Sequence, residues 1–211
     1  MASSINILLH TSQRTLKNKY QYKINISVPS GNFGNVCAGL IAMKMGLNVN
    51  NFIAATNIND TIPRYLKTGN YRPKKAIRTI SNAMDVSDPN NFPRIEHIFN
   101  NNFQALKNKM HAEKVNEEET KNEIKKTYCN SKYVLDPHGA VGLVGLRRYN
   151  LKNEIGIFLE TAHPIKFRDS ITEILSINID DPLKLTNESD SHKIALKNNY
   201  SDLIEFIKQS Q

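Results

Sequence analysis

The chain has 211 residues, of which 39% are hydrophobic, and a formal net charge of +8. This length is sufficient for one large domain with a buried core. The longest apolar stretch, residues 36–47, is interrupted by polar residues and too short to span a bilayer. The start, Met1–Asn6, lacks the charged first segment and long apolar core of a signal peptide. We therefore expect a cytoplasmic protein with no membrane partner.

The cysteines and the charge pattern narrow the function further. Cys37 and Cys129 have no partners at zinc-ligand spacing, so we predict no metal site. Cys37 falls in an apolar helical pattern, which is typical of a small buried residue. The lysines are scattered along the chain, a pattern that favours a solvated surface over a nucleic-acid patch, and no nucleic-acid recognition motif is present.

The first elements in chain order predict a strand–helix–strand unit. Residues 1–23 show no clear periodicity and are treated as a poorly determined lead-in. Alternating apolar residues at 24–28 predict a strand, and residues 36–45 predict a helix that ends at Gly46. The apolar run Phe52–Asn57 predicts a buried parallel strand, and strand–helix–strand order implies a right-handed crossover.

The middle of the chain is predicted to be a long loop followed by helices. Residues 58–91 are rich in Asn, Pro, Gly, Ser and Asp, and a loop of that length is usually functional. Residues 92–110 place apolar side chains on one helical face, and residues 117–126 predict an exposed helix. We treat 92–130 as a helical insertion.

The last part of the chain returns to the sheet. Asp136 followed by Pro137 predicts a helix start, and Ile155–Leu159 predicts a third strand. Thr161 and His163 then lie where open α/β sheets place ligands, at the carboxyl end of a strand, and a helix is expected from Pro164. The prediction is an α/β fold, an open, mostly parallel sheet flanked by helices, over residues 24–175. Residues 176–211 are predicted to be a C-terminal linker and a short amphipathic helix.

The most informative segment is Val28–Asn35, which reads Val-Pro-Ser-Gly-Asn-Phe-Gly-Asn between the first strand and its helix. Glycines can adopt positive φ and allow close approach of the backbone to a ligand. The following helix start offers unpaired N–H groups and the positive end of its dipole to a phosphate. The segment matches neither a P-loop nor a dinucleotide fingerprint. From these residues alone, a phosphate site and a plain strand–helix turn are both possible.

Several segments together resemble a known family. Residues 28–35, 52–61, 81–87 and 161–167 resemble threonine synthase of the bacterial type, in that family's order and at about its spacing. The resemblance extends roughly from Ser27 to the C-terminus. Related pyridoxal-phosphate dehydratases carry a run of glycines in place of Gly-Asn-Phe-Gly.

The resemblance implies a pyridoxal 5′-phosphate (PLP) enzyme of fold-type II, with the tryptophan-synthase-β fold, that converts O-phosphohomoserine and water to threonine and phosphate. It implies that the cofactor phosphate is held by the backbone N–H groups of five consecutive residues, Gly31, Asn32, Phe33, Gly34 and Asn35. It places Thr161 near the pyridine nitrogen. Expected substrate contacts are Ser81, Asn82 and Asp85, with Arg64 and Lys67 as phosphate-binding candidates or plain surface cations. His138 and His163 are expected to contact a ligand or, more simply, to cap helices.

The chain also departs from the family. The family's Schiff-base lysine lies in a Phe-Lys-Asp segment before the glycine–asparagine turn, and no lysine before Gly31 has those neighbours. The resemblance thus implies a C-terminal portion that lacks a catalytic residue of its own, is inactive alone, and pairs with a separately encoded N-terminal half. Glu160 stands where the family typically has glycine. Two alternatives stay open: a non-catalytic remnant that binds PLP or another phosphate metabolite and, with less support, a basic nucleic-acid-binding protein.

Overall fold

A computed structural model describes residues 23–179 and 194–209. The chain divides into two units, Met1–Ile179 and Asp180–Gln211. The lead-in up to residue 22 and most of the linker predicted after residue 176 lie outside the described residues. The elements of the first unit are β1 (Ile24–Pro29), α1 (Gly34–Lys44), β2 (Asn51–Thr56), α2 (Thr61–Thr68), a 3-10 helix (Asn82–Met84), α3 (Phe92–Ile98), α4 (Phe103–Lys107), β3 (Met110–Lys114), α5 (Glu117–Ser131), α6 (Pro137–Arg148), β4 (Ile155–Phe158), a second 3-10 helix (Pro164–Phe167) and α7 (Arg168–Leu175).

The four strands form one parallel sheet in the order β3-β2-β1-β4. In its register, Val28 of β1 lies beside Ala54 of β2, and Ile26 lies beside Ile157 of β4. β1 is buried along its whole length, as expected for a central strand covered on both faces. The predicted fold class, an α/β fold with an open parallel sheet and flanking helices, is confirmed.

The helix predicted over 92–110 is wrong. Asn100 and Asn101 adopt left-handed backbone angles, φ 53° and 57°, which end α3. The Asn102 side chain then accepts a hydrogen bond from the Ala105 N–H and starts α4. β3 follows at once and pairs with β2, so a strand was missed because its short sequence, Met-His-Ala-Glu-Lys, carries little apolar alternation. The 58–91 region is also more ordered than predicted, since it contains α2.

α6 brings the carboxyl ends of the strands and its own first turn together. Its glycine face packs closely on the sheet: a Cβ on Gly142 would lie 3.1 Å from Pro29 Cγ, and one on Gly145 would lie 2.8 Å from Ala55 Cβ. The predicted cap at Asp136 is confirmed, because its carboxylate accepts from two backbone N–H groups of the first turn. This packing places the start of α6 beside the turn that follows β1.

The second unit contains α8 (Tyr200–Gln209), which matches the predicted C-terminal helix. The Asn199 side chain accepts from the Asp202 N–H at 2.8 Å at its start. In the part of the chain that the structure describes, every helix is too short or too polar to cross a bilayer.

Candidate functional site

The turn between β1 and α1 is held rigidly at its start. The Ser30 N–H donates to the Ala55 carbonyl at 2.8 Å, and the Ser30 hydroxyl donates to the Val28 carbonyl at 2.7 Å. The turn itself is made by Phe33, whose φ is 60°, and not by either glycine, as the sequence suggested. A left-handed non-glycine residue costs about 1 kcal/mol and is characteristic of functional turns. The Phe33 ring offsets this cost by burial and by an edge-to-face contact with Phe92 at 5.9 Å.

Gly31 is needed for a different reason. A Cβ at this position would lie 2.6 Å from Met84 Cα and 2.8 Å from the Ala83 carbonyl oxygen. The first 3-10 helix therefore packs directly on the backbone of the turn. A Cβ on Gly34 would meet only the Asn91 side chain, at 3.5 Å, so packing does not require glycine there.

The backbone N–H groups of Gly31, Asn32, Phe33, Gly34 and Asn35 have no hydrogen-bond acceptor within residues 23–179. Helix starts always leave such donors, and side chains or ligands normally satisfy them. Here the residue before α1 is Phe33, which has no capping oxygen. Five adjacent unpaired donors at the positive end of an 11-residue helix are suited to an anion.

These residues line an open cavity of about 540 Å³. Arg94 supplies a positive charge to its wall, and no carboxylate is among its described lining residues. Thr161 lies on the same cavity, so the structure brings the loop and the strand-end threonine together as predicted from the sequence. The donors, the helix dipole and the cation make this cavity a good fit for a phosphate group.

The segment before α3 also supports the loop, which sequence reasoning missed. The Asn90 N–H donates to Asn32 Oδ1 at 2.6 Å, and Asn91 Nδ2 donates to the Asn32 carbonyl at 2.9 Å. Asn91 also accepts from the Arg94 guanidinium at 3.0 Å. The only sequence signal was the Asn-Asn pair before an apolar helix, and such pairs recur throughout this chain.

His138 lies on the same cavity and is bound to Asp136. Asp136 is fully buried and accepts from the backbone N–H groups of His138, at 2.8 Å, and Gly139, at 3.3 Å. Its Oδ1 atom also lies 2.9 Å from His138 Nδ1. The expectation that His138 acts as a cap is wrong, because Asp136 fills that role. The same expectation is confirmed for His163, whose Nδ1 accepts from the Ile165 N–H at 3.2 Å.

Glu160 is directed at the start of α6 and is not among the described residues that line the cavity. Its carboxylate accepts from the Asp136 N–H at 3.0 Å and from the Tyr133 hydroxyl at 2.9 Å. Burial raises the pKa of Glu160 to about 7, and the nearby Asp136 charge adds to this rise. Gly139 makes the arrangement possible, since a Cβ there would lie 2.6 Å from Glu160 Oε1. Burial and the Glu160 charge also raise the pKa of Tyr133 to about 12.

Two of the predicted substrate residues belong to a network after β2. Asp85 accepts from Asn57 Nδ2 at 2.9 Å and from the Thr79 hydroxyl at 2.8 Å. The buried Ser81 hydroxyl lies 3.1 Å from the Thr79 hydroxyl and 3.3 Å from Asn57 Nδ2. The polar atoms of Ser81 and Asp85 are thus engaged within the chain.

The remaining predicted substrate residues lie elsewhere. Asn82 lines a cavity of about 660 Å³ together with three cationic residues, Arg78, Lys166 and Arg168. Arg64 and Lys67 line a third cavity, of about 550 Å³, where Arg64 Nε donates to Asp60 at 2.7 Å. The structure does not bring Arg64 and Lys67 to the cavity beside Gly31–Asn35, and their role stays a prediction.

Cys37 lines the loop cavity and is buried, as predicted. Burial raises the pKa of its thiol, which favours the unreactive protonated form, although the Arg94 charge partly opposes this. Within the described ranges, no cluster of three potential metal ligands occurs.

Comparison with known proteins identifies relatives of this architecture. No protein-family model matches the chain. Threonine synthase from Buchnera aphidicola subsp. Baizongia pistaciae is 47% identical over 173 residues, which cover 82% of this chain and 40% of that protein. Threonine synthase from Escherichia coli is 45% identical over 165 residues, which cover 78% of this chain and 38% of the relative.

Solved structures agree with these relatives. The crystal structure of Escherichia coli threonine synthase superposes with a TM-score of 0.77 at 40% identity, covering 93% of this chain and 46% of that one. PLP-bound threonine synthase from Brucella melitensis superposes with a TM-score of 0.83 at 24% identity, which supports the fold alone, and covers 97% of this chain and 50% of that one. The chain spans about two-fifths of the length of the curated relatives it matches. Over most of its own length, the chain is homologous to part of threonine synthase.

Proposed function

We propose that this chain is the C-terminal, cofactor-binding part of a cytoplasmic threonine synthase, which converts O-phosphohomoserine and water to threonine and phosphate with PLP as cofactor. The observation that carries the proposal is the row of unpaired N–H groups at Gly31–Asn35, with Arg94 on the same cavity. The threonine synthase relatives, at 45–47% identity, support the same assignment.

The residues present divide the work of holding the cofactor. The N–H groups of Gly31–Asn35 bind the phosphate, and the α1 dipole favours its negative charge. The Asn32 contacts with Asn90 and Asn91 fix the loop before the ligand arrives, which lowers the entropy lost on binding. The Thr161 hydroxyl, which has no bonded partner within residues 23–179, faces the pyridine nitrogen in this proposal. When bound, PLP acts as an electron sink for carbanionic character in the substrate.

The substrate is proposed to contact the Ser81–Asp85 segment. The buried network of Asn57, Thr79 and Asp85 holds this segment at the carboxyl end of β2, one strand from the loop. Asn82 is the member of the segment that reaches a cavity containing cationic side chains. Arg64 and Lys67 remain phosphate-binding candidates, although they line a separate cavity.

We infer that the Schiff-base lysine is supplied by a separate N-terminal half and that this chain is inactive alone. The experiment measures phosphate release from O-phosphohomoserine by the pure chain, and by the chain mixed with the lysine-bearing portion of Escherichia coli threonine synthase. We expect PLP binding but no turnover by the chain alone, and turnover in the mixture. Turnover by the pure chain would refute the inference. Saturable PLP binding with no turnover in any mixture would assign the chain as a non-catalytic binding remnant.

A further inference from the structure

His138 carries a buried nitrogen that the fold leaves unused. The residue is 4% exposed, and its Nε2 atom has no hydrogen-bond partner. Among the described residues, no other buried side-chain nitrogen or oxygen is left in this state. A buried polar group without a partner costs about 1–3 kcal/mol, so its presence in an otherwise satisfied structure requires an explanation.

The fold fixes which ring nitrogen is available. The Asp136 carboxylate is fully buried and only accepts hydrogen bonds, so His138 Nδ1, 2.9 Å away, carries a proton and donates to it. Nε2 is therefore the nitrogen left for a ligand. The Phe167 ring, 4.9 Å from the imidazole centroid, packs on the ring and restricts its rotation.

A helix-capping role does not account for this side chain. Asp136 already accepts from the first-turn N–H groups of His138 and Gly139. His138 instead lines the cavity that also contains the unpaired N–H groups of Gly31–Asn35. Two independent sets of unsatisfied polar groups thus share one cavity.

We propose that His138 is a ligand-binding residue, which donates from Nε2 to an anionic oxygen of the phosphate-bearing ligand held by Gly31–Asn35, with Asp136 as its positioning residue. The Asp136 carboxylate balances the positive charge of the imidazolium. Glu160, which bonds the Asp136 N–H, and Arg94, on the cavity wall, are the other charged groups near this pair. This assignment rests on the proposed function, because that function supplies the anionic ligand.

Variants at His138 separate the two ring nitrogens. In His138→Asn the amide nitrogen can replace Nδ1 as a donor to Asp136, but nothing replaces Nε2. We expect this variant to bind PLP about tenfold more weakly, the effect of losing one charge-assisted hydrogen bond. His97→Asn is the matched control, because His97 is exposed on α3 and should leave affinity unchanged.

A nitrogen-15 NMR titration of the wild-type chain tests the same contact without a variant. Added PLP, or inorganic phosphate, should shift the His138 Nε2 resonance and leave that of His97 in place. If His138→Asn fails to fold, this titration decides alone. Asp136→Asn keeps the capping oxygen but presents an N–H to Nδ1, so it should reverse the tautomer and weaken binding.

The outcomes distinguish the two proposals. Wild-type binding with an unshifted His138 signal and unchanged affinity in His138→Asn overturns the role of His138 and leaves the cofactor proposal standing. Absence of any PLP or phosphate binding by the wild-type chain overturns the cofactor proposal, and the role of His138 with it.

Discussion

Two polar regions follow neighbouring strands of the same sheet, and they differ in whether their donors and acceptors are satisfied. After β1, the backbone donors of Gly31–Asn35 have no acceptor within residues 23–179. After β2, Asn57, Asn59, Thr79 and Asp85 bond one another closely. A satisfied network fixes a shape, whereas unsatisfied donors on an open cavity are available to a ligand. The comparison assigns binding to the first region and support to the second.

The largest effect is expected where the two regions touch. Gly31→Ala would place a Cβ 2.6 Å from Met84 Cα, and backbone atoms cannot move aside as a flexible side chain does. We expect a loss of about 3 kcal/mol in the free energy of unfolding, measured by urea denaturation, together with weaker PLP binding. Gly34→Ala is the matched control for packing, because its Cβ meets only the Asn91 side chain, at 3.5 Å. Equal stability losses in the two variants would contradict the packing argument.

The second effect tests the supporting network. Asn57→Ala removes the donor to Asp85 Oδ1 and the acceptor for the Asn59 N–H, at 2.9 and 3.0 Å. We expect a loss of about 2 kcal/mol in the free energy of unfolding, because buried partners are left unpaired. PLP affinity, measured at a temperature where the variant is folded, should change less than twofold. A large loss of affinity without a loss of stability would show that the network itself binds the cofactor.

The sequence predicted the strands around the loop well because their apolar runs are long and their turns are marked by glycine, proline and asparagine. It placed Gly31–Asn35 and Thr161 at strand ends, where one cavity joins them. It misassigned the region 92–110, because local asparagine geometry at Asn100 and Asn101 overrides the helical apolar pattern.

The polar partners of the site could not be predicted, because they depend on packing between distant segments. Arg94 reaches the cavity only because α3 packs near the loop, and Asp136 meets Glu160 only because Gly139 has no side chain. The role of Phe33 was missed as well, since the turn seemed to require glycine at its positive φ. The residue roles taken from the family resemblance, from Gly31 to Thr161, stay predictions until binding is measured.

The third prediction extends the comparison to pH. Burial raises the pKa of Glu160 from 4.5 to about 7, so the folded chain binds this proton more tightly than the unfolded chain does. The stabilisation is complete below pH 4.5 and is lost as the pH rises through about 7. We expect Glu160→Gln to remove this part of the pH dependence, seen as a flatter unfolding free energy between pH 5 and 8 by about 1–2 kcal/mol, a reduced figure because solvent screens this half-buried group. Glu118→Gln, on the exposed side of α5, is the control, and an unchanged slope in Glu160→Gln would show that another group titrates.

The smallest effect concerns the cation on the cavity wall. Arg94 is exposed, so its attraction for a phosphate is screened, and Arg94→Met should weaken PLP binding by about threefold to fivefold at low salt. Stability should stay nearly constant, because the guanidinium donates only to the exposed Asn91 side chain. Arg168→Met removes a cation from a different cavity and should leave PLP affinity unchanged. Affinities measured at increasing ionic strength should converge for wild type and Arg94→Met. A difference that persists at high salt would mean that Arg94 acts through a direct, desolvated bond to the ligand, which would make the side chains around the loop as important to binding as its backbone.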